Sequence, residues 1–239
     1  MCAPWPDEHV DHPCAHLGTV GDQRDLADGP SRRRAAALAG HRGDPVGARA
    51  GLTDTEPGVR ATALAALARA GGIAVTDVCN GLVDPAHEVR RRALEVAVDA
   101  DLPIAELGPA VLSCLEDHDD SVVEVAAWAL GELGERNPLP PTSIAVLARV
   151  ATDHVDPLAR EAAVAALGAL ADSRGLDAIL AGTKDKPAVR RRAVLALAAF
   201  DGPRVDEALQ RAGLDRDWQV REAAELLRGE EPGSPTSPD

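Results

Sequence analysis

The chain has 239 residues, a formal net charge of −14, one Phe, three Trp and no Tyr. That acidity argues against a protein whose affinity comes from neutralising phosphates, so nucleic acid is a disfavoured partner. With so few aromatics the interior has to be built from Ala, Leu and Val, each buried methyl contributing about 0.8 kcal/mol, so many small contacts must add up.

Residues 1–19 hold Pro4, Pro6, Pro13, His9, His12 and His16 without helical periodicity, and read as a flexible head. A helical array is expected over 20–229. It opens with a short helix ending at Leu26 to Asp28. Pro30 then restarts the chain, and Ser31, Ala35 and Leu38 form a weak version of a second helix, as end units of an array often do. The template follows at Asp54 to Leu67, Asp-Thr-Glu-Pro-Gly-Val-Arg-Ala-Thr-Ala-Leu-Ala-Ala-Leu, an acidic turn and then a helix with one apolar stripe. Taking Val59 as the reference position, the pattern returns at Val89, Val122, Ala159, Val189 and Val220, at intervals of 30, 33, 37, 30 and 31 residues. Repeats of about 20–50 residues mark a solenoid, whose units cannot bury their apolar faces alone and stack on neighbours. Each unit is expected to hold an A helix, such as Val46 to Leu52 or Ser173 to Leu180, a turn, and a longer B helix, such as Val59 to Ala70 or Val189 to Phe200. Residues 230–239, rich in Pro, Ser and Glu, have no apolar face and read as a disordered tail.

Turn chemistry sets where each B helix starts. Glu56, Asp119, Asp156 and Asp217 stand three residues before the reference position, as N-caps, and Pro57, Pro157 and Pro187 stand two before it, where a missing N–H costs nothing. Ala86 and Lys186 break the acid column, and His87 takes the place of proline. Within the B helix the reference residue and those four, seven and eight positions on share one face, which predicts a core of Val122, Ala126, Ala129 and Leu130, then Ala159, Ala163, Ala166 and Leu167. Arg60, Arg90, Arg160, Arg190 and Arg221, one position after the reference, and Asp54, Asp84, Asp117 and Asp215, five before it, are expected to tie successive turns together. Val123, His154 and Lys184 interrupt these columns, so the ladder should weaken from mid-chain onward.

The run Asp54, Pro57, Val59, Arg60, Ala63, Ala66 and Leu67, repeated along the chain, resembles the HEAT repeat of the phycobilisome-lyase (PBS lyase-like) type. The resemblance implies an all-α, right-handed α–α superhelix of about six to seven helical pairs. That fold hosts scaffolds, adaptors, nucleic-acid binders and a few enzymes. One of the enzymes, deoxyhypusine hydroxylase, holds iron through paired His-Glu motifs in which the histidine follows an arginine. Here the matching stretches, Arg160-Glu161-Ala162-Ala163 and Arg221-Glu222-Ala223-Ala224, lack the histidine, and His87-Glu88 stands alone before Val89. The resemblance therefore does not extend to a di-iron site. Nor does any cysteine or acid stand out for bilin transfer, and Cys79 and Cys114 read as small buried hydrophobes.

Cys2, Cys14, Cys79 and Cys114 form no CxxC pair, which points to a reducing, cytoplasmic compartment. With no apolar h-region and no long apolar run, neither secretion nor membrane spanning is expected. Cys2, His9, His12, Cys14 and His16 have the atoms for zinc but no zinc-site spacing, so no cofactor is expected. The remaining candidate is the helix face opposite the core, two and six residues after the reference: Arg91 with Glu95, Glu124 with Trp128, Glu161 with Ala165, Arg191 with Leu195, and Glu222 with Leu226. Trp128 either anchors a partner there or packs over the next B helix, whereas Trp218 reads as a packing lid on the last turn. The function expected is a non-catalytic scaffold that binds a protein or peptide along its groove through Arg91, Glu95, Glu124, Trp128, Glu161 and Arg191. The alternative is an enzyme or enzyme subunit related to bilin lyases or to HEAT-type metal-dependent oxidoreductases.

Overall fold

The computed structural model describes residues 28–100 and 102–229. The expected head at 1–19, its His and Cys group, the short helix before Asp28 and the tail at 230–239 lie outside the described residues. Those described form thirteen α-helices and no strand: α1 (Gly29–His41), α2 (Pro45–Arg49), α3 (Pro57–Arg69), α4 (Val75–Leu82), α5 (His87–Asp99), α6 (Ile104–Ser113), α7 (Asp120–Arg136), α8 (Ser143–Asp153), α9 (Pro157–Leu170), α10 (Leu176–Gly182), α11 (Pro187–Ala196), α12 (Pro203–Ala212) and α13 (Trp218–Arg228). They make six A–B pairs, α2–α3 to α12–α13, preceded by α1, which has the B register. The B helices pack in one continuous row, α1 on α3 and so on to α11 on α13. The A helices form a second, sparser layer behind it. The result is a right-handed α–α superhelix whose closely spaced B layer lines the inner wall.

Proline moves the helix starts earlier than the apolar stripe alone indicates. Pro57, Pro157 and Pro187 are the first helical residues, and His87 holds that place in α5. The A helices shorten instead, because their ends tighten into 3-10 turns at Ala50–Thr53 and Ser173–Gly175. Likewise α11 gives way to a 3-10 turn at Leu197–Ala199, and Phe200 is already extended. Asp119, Asp156 and Asp217 accept the capping bonds from Ser121, Leu158 and Gln219. Glu56 holds the N-cap position of α3 without a capping bond, a correction that follows from the longer glutamate side chain being a poor fit for that geometry.

The apolar stripe reads as expected: Val122, Ala126, Ala129 and Leu130 are fully buried, as are Ala159, Ala163 and Leu167. Small residues let the helices close on one another. Inside the pairs, a Cβ added to Gly81 of α4 would come 2.8 Å from the Ala93 methyl of α5. Between B helices, Gly131 of α7 is backed onto Ala166 of α9, where an added Cβ would lie 3.1 Å from the Ala166 Cα.

Arginine and aspartate stitch the turns. Arg32, Arg60, Arg90, Arg160 and Arg190 each grip the carboxylate of Asp54, Asp84, Asp117, Asp185 and Asp215, respectively, through two nitrogens at 2.6–3.1 Å. The free edge of the guanidinium donates to carbonyls of its own turn, as Arg90 does to Asp84 and Pro85. The aspartate in turn accepts a backbone N–H two residues on, from Ala86 to Asp84 or from Asp119 to Asp117, except that Asp185 accepts from the next residue, Lys186. The ladder does not fade after mid-chain: Lys184 does not interrupt it, because Asp185, one residue later, takes over as acceptor for Arg160.

One rung is missing among the described residues, and both of its halves are replaced. Val123 stands where the arginine belongs and is fully buried, and His154 stands where the aspartate belongs. The His154 Nδ1 accepts the Asp156 N–H at 3.2 Å, keeping the local turn that a carboxylate would otherwise hold. Val123→Arg alone is expected to destabilise the array. Combining it with His154→Asp should restore stability, with a coupling of about 2 kcal/mol in a denaturant double-mutant cycle. Strict additivity would mean the two positions do not face each other.

Candidate protein-interaction site

The inner wall is made of B-helix residues that the core does not use. Between α7 and α9 it opens into a cleft of about 660 Å³, lined by Glu124, Val125, Trp128, Gly131 and Glu132 from α7, by Leu158, Glu161 and a run of alanines from α9, and by Arg192 from α11. The cleft exists because α9 presents Ala162, Ala165, Ala166 and Ala169 opposite the one large ring of α7. Trp128 is 40% exposed, so it leans on α9 and still shows much of its ring to solvent. Of the two alternatives set for it, packing over the next B helix is met in part. A smaller hollow of about 220 Å³ continues from the cleft between α9 and α11, sharing Ala165, Ala169 and Arg192.

Three of the expected residues, Glu124, Trp128 and Glu161, come together in this cleft. Arg91, Glu95 and Arg191 do not line it. Glu95 is paired with Arg92, and Arg191 is exposed one residue from Arg192, which enters the lining and bridges to Glu161 at 3.5 Å. Val125, Ala162 and Arg192, three residues after the reference, and Glu132, ten after it, belong to the face as well. Extending the line through Glu124 and Trp128 by another four residues would have found Glu132.

Trp218 does not form a lid. It is the first residue of α13 and 61% exposed, at the helix-start position where sister units carry proline, His87 or Asp120. Burial pushes the Cys114 thiol up to about 11, with Asp117 adding to the effect, so this cysteine is protonated and behaves as a core residue, its Sγ 3.5 Å from the Ala110 carbonyl oxygen. Among the described residues no group of three or more His, Cys, Asp or Glu side chains is placed to hold a metal ion. None of the described helices is long and apolar enough to cross a membrane.

Fold and inner wall together define an α-solenoid of repeated helical pairs. The sequence matches the HEAT-repeat family over residues 75–168 and 144–228, well over half of the chain. The protein therefore belongs to the HEAT-repeat family. No curated protein matches it. Among solved structures, it is similar to YibA of Escherichia coli at 15% identity and a TM-score of 0.63, covering 87% of this chain and 76% of that one. An engineered protein is similar at 20% identity and a TM-score of 0.54, over 78% of this chain and 97% of its own. A designed armadillo repeat protein, solved in complex with the peptide (KR)4, is similar at 15% identity and a TM-score of 0.52, over 85% of this chain and 99% of its own. At these identities the likeness is one of fold.

Proposed function

We propose that this chain is a non-catalytic scaffold of the PBS lyase-like HEAT type, acting in the cytoplasm and binding an extended segment of a protein partner along its inner wall. Residues 20–229 form the array in this reading, with 1–19 and 230–239 outside it. The observation that carries it is the α7–α9 cleft, where a chain with almost no aromatics spends its half-exposed Trp128 against a bed of alanines. A rigid indole in a concave apolar setting is a common anchor for a partner. Glu124 and Glu161 set charge at the cleft, while Arg91, Glu95 and Arg191 act farther along the wall. The designed armadillo repeat protein, of the same fold, holds a peptide, which is the partner class this wall suits.

Affinity capture from the native host with the full chain, followed by cross-link mapping, tests the proposal. Cross-links should gather on α7, α9 and α11, and Trp128→Ala should weaken the captured partner by about 2 kcal/mol or more. Cross-links confined to the A-helix layer, with capture indifferent to Trp128→Ala, would refute it.

A further inference from the structure

Glu124, Trp128 and Glu132 follow one another at intervals of four residues along α7, so they stand in one line on its surface with the indole between the two carboxylates. All three line the α7–α9 cleft. A third carboxylate, Glu161, faces them from α9 but is engaged by Arg192. Glu124 and Glu132 are both partly buried, and neither side chain makes an ion pair or hydrogen bond among the described residues. None of the described cations nearby in sequence or across the row pairs with either carboxylate. Arg92 pairs with Glu95, Arg136 donates to the Glu132 and Val98 carbonyl oxygens, and Arg91 lies outside the lining.

The cleft thus carries two uncompensated carboxylates, partly withdrawn from water, on either side of an exposed aromatic face. Both features attract the same thing: a cation is drawn to the indole quadrupole and to the carboxylates together. A phosphate-bearing ligand would be repelled by the same groups. We propose that the cleft takes an arginine or lysine side chain of an extended peptide, its cationic head over Trp128 and between Glu124 and Glu132. This rests on the reading of the inner wall as the partner site and names the chemistry of the partner there. A peptide fits better than a free small cation, because the adjoining hollow beside Leu195, Ala196, Ala198 and Ala199 continues the cleft as a shallow apolar track for the residues flanking the basic one.

The test selects a phage-displayed random dodecapeptide library on the full chain. It then compares each synthetic winner with a version in which citrulline or norleucine replaces its Arg or Lys. Winners should carry a basic residue, lose affinity by at least about tenfold on its neutral replacement, and lose a similar factor against a Glu124→Gln, Glu132→Gln double variant. Since neither carboxylate holds a partner in the fold, thermal melting of that variant should match the parent, which separates lost binding from lost folding. Winners that require Trp128 but tolerate the neutral residue or the double variant would overturn the cation pocket while leaving the partner-binding wall standing. An absence of winners, or winners indifferent to Trp128→Ala, would overturn both.

Discussion

Ala163→Glu is expected to destabilise the array by about 4 kcal/mol, the cost of an unpaired charge in a dry interior. Ala163 sits four residues after the reference in α9 and is fully buried, as are its counterparts Ala63, Ala93, Ala126 and Ala193. In three of the pairs the A helix, or the 3-10 turn that ends it, meets this column with a glycine: Gly51 against Ala63, Gly81 against Ala93, Gly182 against Ala193. In those pairs the interhelical gap is filled by one methyl group, and Ala163 holds the same fully buried place in α9. A glutamate there either stays ionised with no cation in reach, or takes up a proton and still forces the pair apart, itself about 1–3 kcal/mol of overpacking. Because a solenoid is stabilised by contacts between neighbours, loss of amide protection should centre on α8 to α11 and reach α1 to α4 least. Urea unfolding and hydrogen exchange measure this. Ala165→Glu, two residues on and in the cleft lining, is the control and should shift stability by no more than about 0.5 kcal/mol. Equal effects at the two positions would mean that the stripe is assigned to the wrong face.

The array could be read from the sequence because its signal is repeated. Six copies of one stripe outvote a local irregularity, so Ala86 and Lys186 at cap positions did not hide the starts of α5 and α11. Helix ends were read less well, since proline and 3-10 tightening act on single residues and not on the period. The ladder was legible as two columns, but Asp185 was missed as an acceptor because strict register points to Lys184; a turn can shift by one residue while its carboxylate still reaches Arg160. For the cleft, the face was legible and its membership only half so. The wheel picks out Glu124, Trp128 and Glu161, but which arginine enters depends on how α11 packs on α9, where Gly168 backs onto Ala196, a contact between helices that no single-helix projection contains.

The missing rung and the cleft fall at the same junction. Where α7 and α9 meet, Val123 and His154 replace the ion pair on one edge, while on the inner wall the alanines of α9 leave Trp128 of α7 partly exposed. The other described junctions from α1 to α13 keep their rung, so the one that carries the Trp128 cleft is joined by apolar contacts, with Gly131 on Ala166 at its centre.

Arg90→Ala should cost about 3–5 kcal/mol at neutral pH, because it strands a carboxylate that the fold has already taken out of water. The Arg90 and Asp117 side chains are only 5% and 9% exposed, the most buried of the rungs. For Asp117, burial pushes the carboxyl upward, but the Arg90 guanidinium and the Asp119 N–H together outweigh it and hold the group below the usual carboxylate range. A carboxyl whose folded pKa is depressed contributes stability that is present above the unfolded value of about 3.9 and is lost as pH falls through the folded one. Remove Arg90, and burial is left opposed only by the backbone bond and the weaker charge of exposed His118. The Asp117 carboxyl should then titrate above its position in the parent. The penalty of Arg90→Ala should accordingly shrink as pH drops below about 4, where the stranded group becomes neutral. Arg90→Met with Asp117→Asn, which keeps an acceptor for the Asp119 N–H and removes both charges, should recover most of the loss at pH 7. Denaturant melts of the parent, the single and the double variant from pH 3 to pH 7 carry the test. A pH-independent penalty, or a double variant as unstable as the single, would show that Arg90 acts through packing of its stem and not through the charge it neutralises.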